Sequence, residues 1–422
     1  MAAFMTRITT LFLFAIVLGL LDWYVWQSLK TAVRSWPVAR IRLLGGVVIL
    51  VSVLTLAGIT VLRWPLAFQL GATGRALVLM WVFSGIAARM VLMVFGLTDD
   101  LRRTLIWITR RVRPAPPVPA PGEPISRSAF LAKTGLLLAA TPVAGISWGI
   151  LSGAHDYRVR RQIIYLPGLP KAFDGMRIVQ LSDIHAGSFW NKTAVEGGVT
   201  MAMAEKPDLI LFTGDLVNDQ AVEMRDYTTI FSRLRAPMGV YSVLGNHDYG
   251  NYTQWRNPAD KLANQQDIRA VHKTMGWELL INEHRLLRTG SDAIALLGVE
   301  NWAAKGNFPQ YGRLSDAWKG TEEAPAKILL SHDPSHWDAE ILTRFPDIGL
   351  TLSGHTHGMQ LGIETPHIKW SPAQYIYDQW AGLYEKNGQQ LYVNRGFGYI
   401  GYPGRIGIPP EITVIELKAG QA

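Results

Sequence analysis

Leu181-Ser182-Asp183-Ile184-His185 closes an apolar run that begins at Met176, and it places an aspartate and a histidine where a strand would end. Later turns follow short apolar runs in the same way, and their sequences are Thr213-Gly214-Asp215, Gly245-Asn246-His247-Asp248, Ser331-His332-Asp333 and Gly354-His355-Thr356-His357-Gly358. Turns at the carboxyl ends of neighbouring strands converge and give metal ligands a rigid support. The pattern therefore predicts one site for two divalent metal ions, around which the rest of the chain is organised.

The composition separates an apolar amino-terminal part from an ordinary globular part. The chain has 422 residues, of which 49% are hydrophobic, and the excess lies before residue 153. This length is enough for more than one domain. The chain contains no cysteine, which excludes disulfides and thiolate ligands, so a metal ion must be held by His, Asp, Glu or Asn. The net charge is +8, but much of the basic excess flanks apolar segments, which is typical of membrane topology rather than nucleic-acid binding.

Four apolar runs are near the length that a helix needs to cross a bilayer, about 20 residues. They cover residues 8–29, 43–62, 76–97 and 135–153. We predict four spanning helices; the alternatives are that the first run is a signal peptide or that one run is a buried or interfacial helix. The predicted division of the chain is a transmembrane region with three helices (1–113), a Pro-rich basic linker (114–134), a fourth transmembrane or anchor helix (135–153) and a catalytic domain (154–422).

Basic residues in the loops orient this bundle. The first loop contains Lys30, Arg34, Arg40 and Arg42. The third loop contains Arg102, Arg103, Arg110, Arg111, Arg113, Arg127 and Lys133, whereas the second contains only Arg63 and Arg75. Loops rich in Lys and Arg stay in the cytoplasm, so the fourth helix carries the remainder of the chain out of it. We expect a multi-pass protein of the cell inner membrane with its catalytic domain on the periplasmic or extracytoplasmic side.

Two charged residues, Asp22 and Arg89, fall inside or near the apolar runs. Charges within a membrane mark transport paths in some proteins. The alternative is that Asp22 is interfacial and that Arg89 reaches the interface or pairs within the bundle.

From Tyr157 onward the pattern indicates strands that alternate with helices at about 30-residue spacing, as in βαβ units. We predict the first strands over 158–165, 176–181, 208–212 and 239–244. After residue 277 short strands follow one another, at 278–281, 293–299, 327–330, 348–353, 390–394 and 411–416. A second sheet, packed on the first and flanked by helices, would account for these later strands.

The residue types at the five turns suit metal coordination by oxygen and nitrogen. Asp183 and His185 are two residues apart, so both side chains can reach one ion from a single turn. Asp215 has two carboxylate oxygens and can bridge two ions. Neutral amide and imidazole donors complete the set: Asn246, His332, His355 and His357. Such ligands suit Mn²⁺, Fe or Zn²⁺.

The order of these motifs resembles the calcineurin-like metallophosphoesterase superfamily, whose pattern is Asp-x-His, Gly-Asp, Gly-Asn-His-Asp/Glu, His and Gly-His-x-His. Every position is filled here, over about residues 155–418. Within the superfamily the chain looks most like the bacterial membrane-associated phosphodiesterases of the YkuE/YaeI type, which the segments Asn394-Arg395-Gly396-Phe397-Gly398 and Pro409-Pro410-Glu411-Ile412 also resemble. That branch usually continues Gly-His-Thr-His with Gly-Gly-Gln, whereas this chain has Gly358-Met359-Gln360. The resemblance implies a fold of the α/β (α+β) class, in which a transmembrane helix bundle precedes a four-layer α/β/β/α sandwich of two mixed sheets.

The resemblance also implies a role for each ligand. One ion would be held by Asp183, His185, Asp215 and His357, and the other by Asp215, Asn246, His332 and His355. The ions would lie about 3.5–4 Å apart, and a hydroxide bridging them would attack phosphorus in line with the leaving oxygen. His247 would protonate the leaving group or stabilise the transition state, and Asp248 would orient His247 through a hydrogen bond.

Candidate substrate contacts are fewer and carry no complete motif. Arg395 follows a predicted strand and suits bidentate binding of phosphate, and Tyr249 and Asn301 are further candidates. Six aromatic or apolar residues either line a rim that faces the bilayer or belong to the core: Phe189, Trp190, Trp255, Trp302, Tyr399 and Ile400.

We therefore expect a membrane-anchored, dinuclear-metal phosphodiesterase. One alternative is a pyrophosphatase that acts on a nucleotide-linked or isoprenoid lipid. Another, in a different class, is a membrane transporter or sensor whose hydrolase domain only binds its ligand. The expected partners are the lipid bilayer and a phosphate-ester substrate, which is lipid-linked in the first alternative. Nucleic acid is not an expected partner. The sequence does not predict the oligomeric state.

Overall fold

The computed structural model describes residues 2–63, 70–112 and 127–420. The chain divides into two compact units, Met1–Ile150 and Leu151–Ala422. The prolines of the predicted linker, at 114–124, lie outside the described residues.

The first unit consists of long apolar helices: α1, Ala2–Ala32; α2, Val38–Arg63; α3, Gly71–Val112; and α4, Arg127–Leu151. Among the described residues, four stretches are long and apolar enough to cross a membrane: Leu11–Ala32, Val38–Leu62, Thr73–Val112 and Arg127–His155. They confirm the predicted number of apolar helices. The fourth begins at Arg127 rather than at the predicted residue 135, because residues 127–134 contain no glycine or proline and continue the helix. The predicted linker therefore extends no further than residue 126.

Helix α3 is longer than a bilayer requires. Its 42 residues correspond to about 63 Å of helix, whereas the hydrocarbon core of a bilayer is about 30 Å thick. The predicted apolar run ends at Leu97, and the same helix continues through Asp99, Asp100 and the arginines of the third loop. The composition therefore indicates that the part of α3 after Leu97 extends into water.

The two charges near the apolar runs bind one another. Arg89 Nε donates a hydrogen bond to Asp22 Oδ1 at 2.8 Å, and the two side chains are only 6% and 16% exposed. A charged side chain that stays alone among apolar helices costs several kcal/mol. The pair joins α1 to α3 and explains how both charges are tolerated, so it favours a structural role over a transport path.

The second unit contains two six-stranded sheets in its described residues. The strands are β1, Arg158–Leu166; β2, Arg177–Leu181; β3, Leu209–Phe212; β4, Val240–Ser242; β5, Glu278–Leu279; β6, Glu283–Thr289; β7, Asp292–Gly298; β8, Lys327–Leu330; β9, Leu350–Ser353; β10, Ile363–Glu364; β11, Lys369–Trp370; β12, Gly382–Lys386; β13, Gln389–Val393; and β14, Glu411–Ala419. The first sheet has the order β1-β14-β2-β3-β4-β5 and the second the order β12-β13-β9-β8-β7-β6. Both are mixed, because β14 runs antiparallel to β2, and β6 runs antiparallel to β7. Strands β10 and β11 form a separate hairpin.

Two strands lie in a different sheet from the one expected. The predicted strands at 278–281 and 411–416 correspond to β5 and β14, and both belong to the first sheet. Strand β5 continues the parallel row of β2, β3 and β4, and β14 fills the gap between β1 and β2. Sequence order misleads here because β5 pairs with β4 and not with β6, which follows it, and because β14 pairs with β1 and β2, which are remote from it along the chain.

Helices cover the outer faces of the sandwich: α5, Lys192–Ala204; α6, Thr228–Phe231; α7, Pro258–Thr274; α8, Leu314–Trp318; and α9, Leu342–Arg344. Successive side chains of a strand point to opposite faces of its sheet. Ile178 of β2 therefore enters the core between the sheets together with Leu330 of β8, while Val179 packs outward against Val199 of α5. On the far side Leu329 packs against Trp337. These four layers confirm the predicted α/β/β/α sandwich of two mixed sheets.

Candidate metal centre

Every turn that carries a predicted ligand begins where a strand ends. Asp183 and His185 follow β2, Asp215 follows β3, and Asn246 follows β4. These strands are parallel neighbours in the first sheet, and β8 and β9 are parallel neighbours in the second. The carboxyl ends of such strands share one edge of their sheet. His332 follows β8, and His355 and His357 follow β9. These three histidines of the second sheet lie beside the candidate ligands of the first sheet.

One group of potential ligands consists of Asp183, His185 and His357, all of them buried, whose ligand atoms lie within 4.8 Å of one another. His185 Nε2 lies 3.0 Å from His357 Nε2. His357 Nε2 in turn lies 3.3 Å from Asp183 Oδ1. This is the set expected for the first ion, apart from the bridging residue.

Asp215, His332 and His355 form the second group. His332 Nε2 lies 3.1 Å from Asp215 Oδ2 and 3.3 Å from His355 Nδ1. Asn246 adjoins this group, because its Oδ1 lies 2.8 Å from His355 Nδ1. The orientation of the Asn246 amide follows from its Nδ2, which donates a hydrogen bond to the Tyr252 hydroxyl at 2.9 Å. The amide oxygen is therefore the atom that faces the other ligands.

Asp215 connects the two groups through a single atom. Its Oδ2 lies 3.1 Å from His332 Nε2 and 3.5 Å from His185 Nε2. The other oxygen, Oδ1, accepts a hydrogen bond from the backbone N–H of His247 at 2.9 Å, which fixes the carboxylate plane. A carboxylate in this position can bridge two cations.

The hydrogen bonds around the second group direct lone pairs toward its centre. His332 Nδ1 lies 2.7 Å from the carbonyl oxygen of Thr213, so Nδ1 carries the proton and Nε2 turns toward Asp215. Burial favours the neutral ring, but the Asp215 carboxylate raises the pKa of His332 to about 10. Two facing acceptor atoms need a positive charge between them, and a divalent cation can supply it in place of a proton. The residues present therefore fit a metal ion.

Burial and neighbouring charges also shift the other ligands. Burial raises the pKa of Asp183 to about 6 and lowers the pKa of His185 to about 3. Burial alone would raise the pKa of Asp215, but His332 and His247 hold it well below its ordinary value. Metal ligation needs neutral imidazole and ionised carboxylate. His185 and Asp215 have these forms at neutral pH.

Backbone strain is concentrated on the ligands. Ten non-glycine residues of the described chain have positive φ, and five of them are predicted ligands: Asp183 (+53°), His185 (+48°), Asp215 (+60°), His355 (+70°) and His357 (+50°). Each such residue costs on the order of 1–3 kcal/mol and persists only where its surroundings impose the conformation. The strain therefore favours a functional role for these turns.

Two glycines show how closely the ligand turns approach one another. A Cβ at Gly245 would lie 2.2 Å from Asp215 Oδ1, and a Cβ at Gly354 would lie 2.2 Å from Asp183 Oδ2. Neither contact is possible for a real side chain. Glycine at these two positions therefore lets the turns of different strands meet.

His247 lies beside the ligands without belonging to either group. Its Nδ1 lies 2.7 Å from the carbonyl oxygen of Asn218. Its ring meets the ring of His185 edge-on, with centroids 5.0 Å apart, and the ring of Tyr252 lies 4.4 Å away. A half-buried imidazole whose Nδ1 is held by a carbonyl leaves Nε2 available for proton transfer.

The expected contact between Asp248 and the His247 ring is wrong. Both carboxylate oxygens of Asp248 accept hydrogen bonds from backbone N–H groups, namely those of Asp215, Leu216, Val217 and Gly245. The carbonyl of Asn218, not Asp248, orients the His247 imidazole. Asp248 instead fixes the turn after β3 against the turn after β4.

We expect Asp248→Asn to lower both the melting temperature and the metal affinity of the protein. The amide would turn an NH₂ group toward backbone donors, and each hydrogen bond left unmade costs about 1–3 kcal/mol. Calorimetric unfolding and a metal titration measure the two effects, with Asp267→Asn on the exposed face of α7 as the control. An unchanged melting temperature would contradict the role of Asp248 in joining the turns.

Arg395 does not lie open to a substrate, contrary to its predicted role in phosphate binding. Its side chain is only 3% exposed, and its two Nη atoms donate hydrogen bonds to Glu411 and Glu364, each at 2.6 Å. A buried charge has to be paired. Arg395 is therefore the counter-ion that links the start of β14 to the β10–β11 hairpin.

The other candidate contacts are also occupied by the protein itself. The Tyr249 hydroxyl accepts a hydrogen bond from the backbone N–H of Asn301 at 3.2 Å, and Asn301 Nδ2 donates to the carbonyl of Pro309. Of the six residues considered for a lipid-facing rim, Phe189 and Tyr399 belong to the core. The remaining four are half-buried: Trp190, Trp255, Trp302 and Ile400.

The sequence motifs missed three side chains that contact the ligands. The Tyr377 hydroxyl lies 2.8 Å from His355 Nε2, and Asp333 Oδ2 lies 3.4 Å from the same nitrogen. Arg405 Nη2 lies 3.2 Å from His357 Nδ1. An acceptor that holds the outer N–H of a ligating histidine fixes the orientation of its ring. Asp333 and Tyr377 can do this for His355, whereas the Arg405 guanidinium is only a donor and contacts His357 without this role. Asp333, next to His332, could have been found as such a group, whereas Tyr377 and Arg405 carry no local signal.

Met359 lies two residues after the last histidine of the candidate centre and adopts a φ of +47°; the branch that the chain resembles usually has glycine at this position. We expect Met359→Gly to increase the free energy of unfolding by up to about 1 kcal/mol, because glycine adopts this conformation without strain. The melting temperature should rise accordingly. Leu361→Gly is the matched control, since Leu361 has a φ of −135° and should lose stability. A lower melting temperature for Met359→Gly would show that the side chain contributes more than its strain costs.

Comparison with known proteins agrees with this geometry. Residues 6–154 match a family described as probable calcineurin-like phosphoesterase, transmembrane domain, and residues 176–359 match the family described as calcineurin-like phosphoesterase. The chain is 34% identical to a transmembrane protein with metallophosphoesterase domain from Danio rerio, over 68% of this chain and 63% of that protein. It is 31% identical to the uncharacterized metallophosphoesterase YkuE of Bacillus subtilis, over 70% of this chain and 98% of that protein.

A third relative carries a more specific name. The chain is 26% identical to the phosphodiesterase YaeI of Escherichia coli, over 69% of this chain and 99% of that protein. The matched region thus spans nearly all of the two bacterial relatives and less than two thirds of the fish protein.

Proposed function

Because this chain belongs to the calcineurin-like metallophosphoesterase family, we propose that its second unit is a dinuclear phosphodiesterase, which the first unit holds in a membrane. The observation that carries the proposal is the contact of Asp215 Oδ2 with both ligand groups. A site for one ion would not need a carboxylate between two sets of buried histidines. The preference for diesters rests on the name of the Escherichia coli relative.

Two divalent ions bound in this centre would polarise the phosphoryl oxygens and activate water at neutral pH. Asp215 would contact both ions. The other residues would hold the two ions according to the contacts they make with one another. Asp183, His185 and His357 would bind one ion, and Asn246, His332 and His355 would bind the other.

His247 would supply the proton that the leaving oxygen needs. The Asn218 carbonyl holds its Nδ1, so Nε2 is the nitrogen that meets the substrate. Tyr377 and Asp333 would keep Nδ1 of His355 turned toward the ions by binding Nε2. Side chains held in this way would be oriented before the substrate binds.

The test uses the full-length protein, purified in detergent and supplied in turn with Mn²⁺, Zn²⁺ and Fe²⁺. Bis(p-nitrophenyl) phosphate should be hydrolysed faster than the corresponding monoester, and elemental analysis should find two ions per chain. Equal diesterase rates for the wild-type protein and an Asp215→Ala/His247→Ala double variant would refute the proposal. Hydrolysis of lipid pyrophosphates without hydrolysis of simple diesters would favour a pyrophosphatase instead.

We propose that this unit lies on the extracytoplasmic side of the membrane, because basic residues are abundant in the first and third loops and scarce in the second. An alkaline phosphatase fused after residue 422 should be active, and the same reporter fused between α1 and α2 should be inactive. The reverse pattern would place the metal centre in the cytoplasm.

A further inference from the structure

The second unit exposes a cluster of large apolar side chains shortly after its last histidine ligand. Between residues 361 and 376, six such side chains are at least 36% exposed: Leu361, Ile363, Ile368, Trp370, Tyr375 and Ile376. We call this set, on the β10–β11 hairpin and the turns beside it, the hairpin patch. The patch is contiguous at its centre, because Ile363 pairs with Trp370 across the hairpin and Trp370 Nε1 lies 3.4 Å from the Tyr375 hydroxyl. Scattered residues need no explanation, whereas a contiguous patch marks an interaction site.

The hairpin patch is held rigidly in this exposed position. Ser371 Oγ donates a hydrogen bond to the carbonyl of Gly358 at 2.7 Å, and the backbone N–H of Thr365 donates to the carbonyl of Ile368 at 2.8 Å. Tyr377 and Trp380 form a small buried cluster nearby. The exposure is therefore a property of the folded hairpin.

The hairpin is bonded to the strand that follows the last membrane span. Glu364 of β10 accepts hydrogen bonds from Arg160 at 2.7 Å and from Arg395 at 2.6 Å. Arg160 lies in β1, and only residues 152–157 separate that strand from the end of α4. Glu364 is thereby neutralised, and the patch is tied to the segment by which the chain leaves the bilayer.

The same patch adjoins the metal centre. Ile376 precedes Tyr377, whose hydroxyl lies 2.8 Å from His355 Nε2. Gly358, which anchors the patch through Ser371, follows the ligand His357. A surface on which the patch rested would therefore lie close to the ligands.

We propose that the hairpin patch docks the second unit on the bilayer surface. Trp370 and Tyr375 would lie at the level of the lipid headgroups, where these residue types are enriched, and Ile363 and Ile368 would reach the boundary of the acyl chains. The competing occupant is a second copy of this chain. The bilayer is favoured because the chain itself spans a membrane, and because the strand bonded to the patch follows directly from a span.

Docking would bring the metal centre to headgroup level. Phosphate esters carried by lipids would then reach it without leaving the bilayer. This choice of substrate class rests on the proposed phosphodiesterase activity, whereas the docking itself does not.

The absence of cysteine from the chain makes site-specific labelling straightforward. Two full-length variants, Ile368→Cys and Leu262→Cys, are labelled with the environment-sensitive fluorophore NBD. Leu262 is the control position, since it lies in α7 and is 57% exposed. The protein is reconstituted at one chain per lipid nanodisc. We expect the emission of the label at position 368 to be blue-shifted and quenched by brominated lipids, and the label at position 262 to show neither effect. A water-like emission at position 368 would overturn the proposal, as would a blue shift that appears only with two chains per disc and resists lipid quenching.

A second experiment tests the consequence for the substrate. Ile368→Glu/Trp370→Glu should lower the rate on a phosphodiester lipid in vesicles by roughly tenfold and leave the rate on soluble bis(p-nitrophenyl) phosphate unchanged, while Leu262→Glu should affect neither. An equal loss on both substrates would make the patch a structural element, and no loss on either would refute its control of substrate access. If the wild-type protein hydrolyses neither substrate, the proposed function fails, and the NBD emission still decides the docking.

Discussion

Asp215→Asn should lower kcat/KM for phosphodiester hydrolysis by at least about a thousandfold, equivalent to about 4 kcal/mol of transition-state stabilisation. Asp215 is the carboxylate whose Oδ2 lies 3.1 Å from His332 Nε2 and 3.5 Å from His185 Nε2. Asparagine preserves the shape of the side chain and an oxygen that can accept the His247 N–H. The substitution therefore removes the negative charge between the two groups with little change in packing.

Metal content distinguishes this explanation from general damage. The variant should bind fewer than two ions per chain by elemental analysis, because one shared ligand is lost from both positions. Asp267→Asn, on the exposed face of α7, should retain full activity and both ions. A variant of Asp215 that keeps two ions and the wild-type rate would contradict the bridging role.

His247→Ala should lower kcat by about 10²–10⁴-fold on phosphodiesters whose leaving group is an alkoxide, the usual range for the loss of a general acid, while both ions stay bound. The contribution of His247 to the turn is its backbone N–H, which donates to Asp215 Oδ1, and alanine keeps that group. The imidazole itself contacts the Asn218 carbonyl and is not a member of either ligand group. The substitution thus separates proton transfer from metal binding.

The leaving group provides the sharper measurement for His247. A p-nitrophenolate leaves without protonation, so the variant should lose little on such esters. An alkoxide needs a proton, so the loss should increase along a series of esters whose leaving groups have rising pKa. An equal loss across the series, or a loss of bound metal, would contradict the assignment of His247 as the general acid.

The residues of the candidate metal centre could be predicted from sequence because metal coordination restricts residue type at short spacing. Asp183 and His185 share one turn, as His355 and His357 share another, and each turn follows an apolar run that the structure shows as a strand. The two-sheet sandwich follows from the same runs. Residue type and strand ends are local properties, and sequence displays them directly.

Contacts between distant segments could not be predicted in this way. Tyr377 reaches His355 from a separate turn, and Arg395 is paired with Glu411 and Glu364, which belong to two other strands. An arginine after a strand has the same local sequence whether it binds phosphate or a buried glutamate. The error on Arg395 therefore reflects missing information about its partners rather than a misread motif.

Strand β14 pairs with β1 on one side and with β2 on the other, although it is the last strand among the described residues. The first sheet can close only after residues 411–419 have been synthesised, since β14 lies between β1 and β2 and pairing of remote segments comes late in folding. On the proposed topology, the unit crosses the membrane before its ligand turns are assembled. Its ions would then be acquired after translocation, so the metal supply of the outer compartment, rather than that of the cytoplasm, would decide which ions the protein holds.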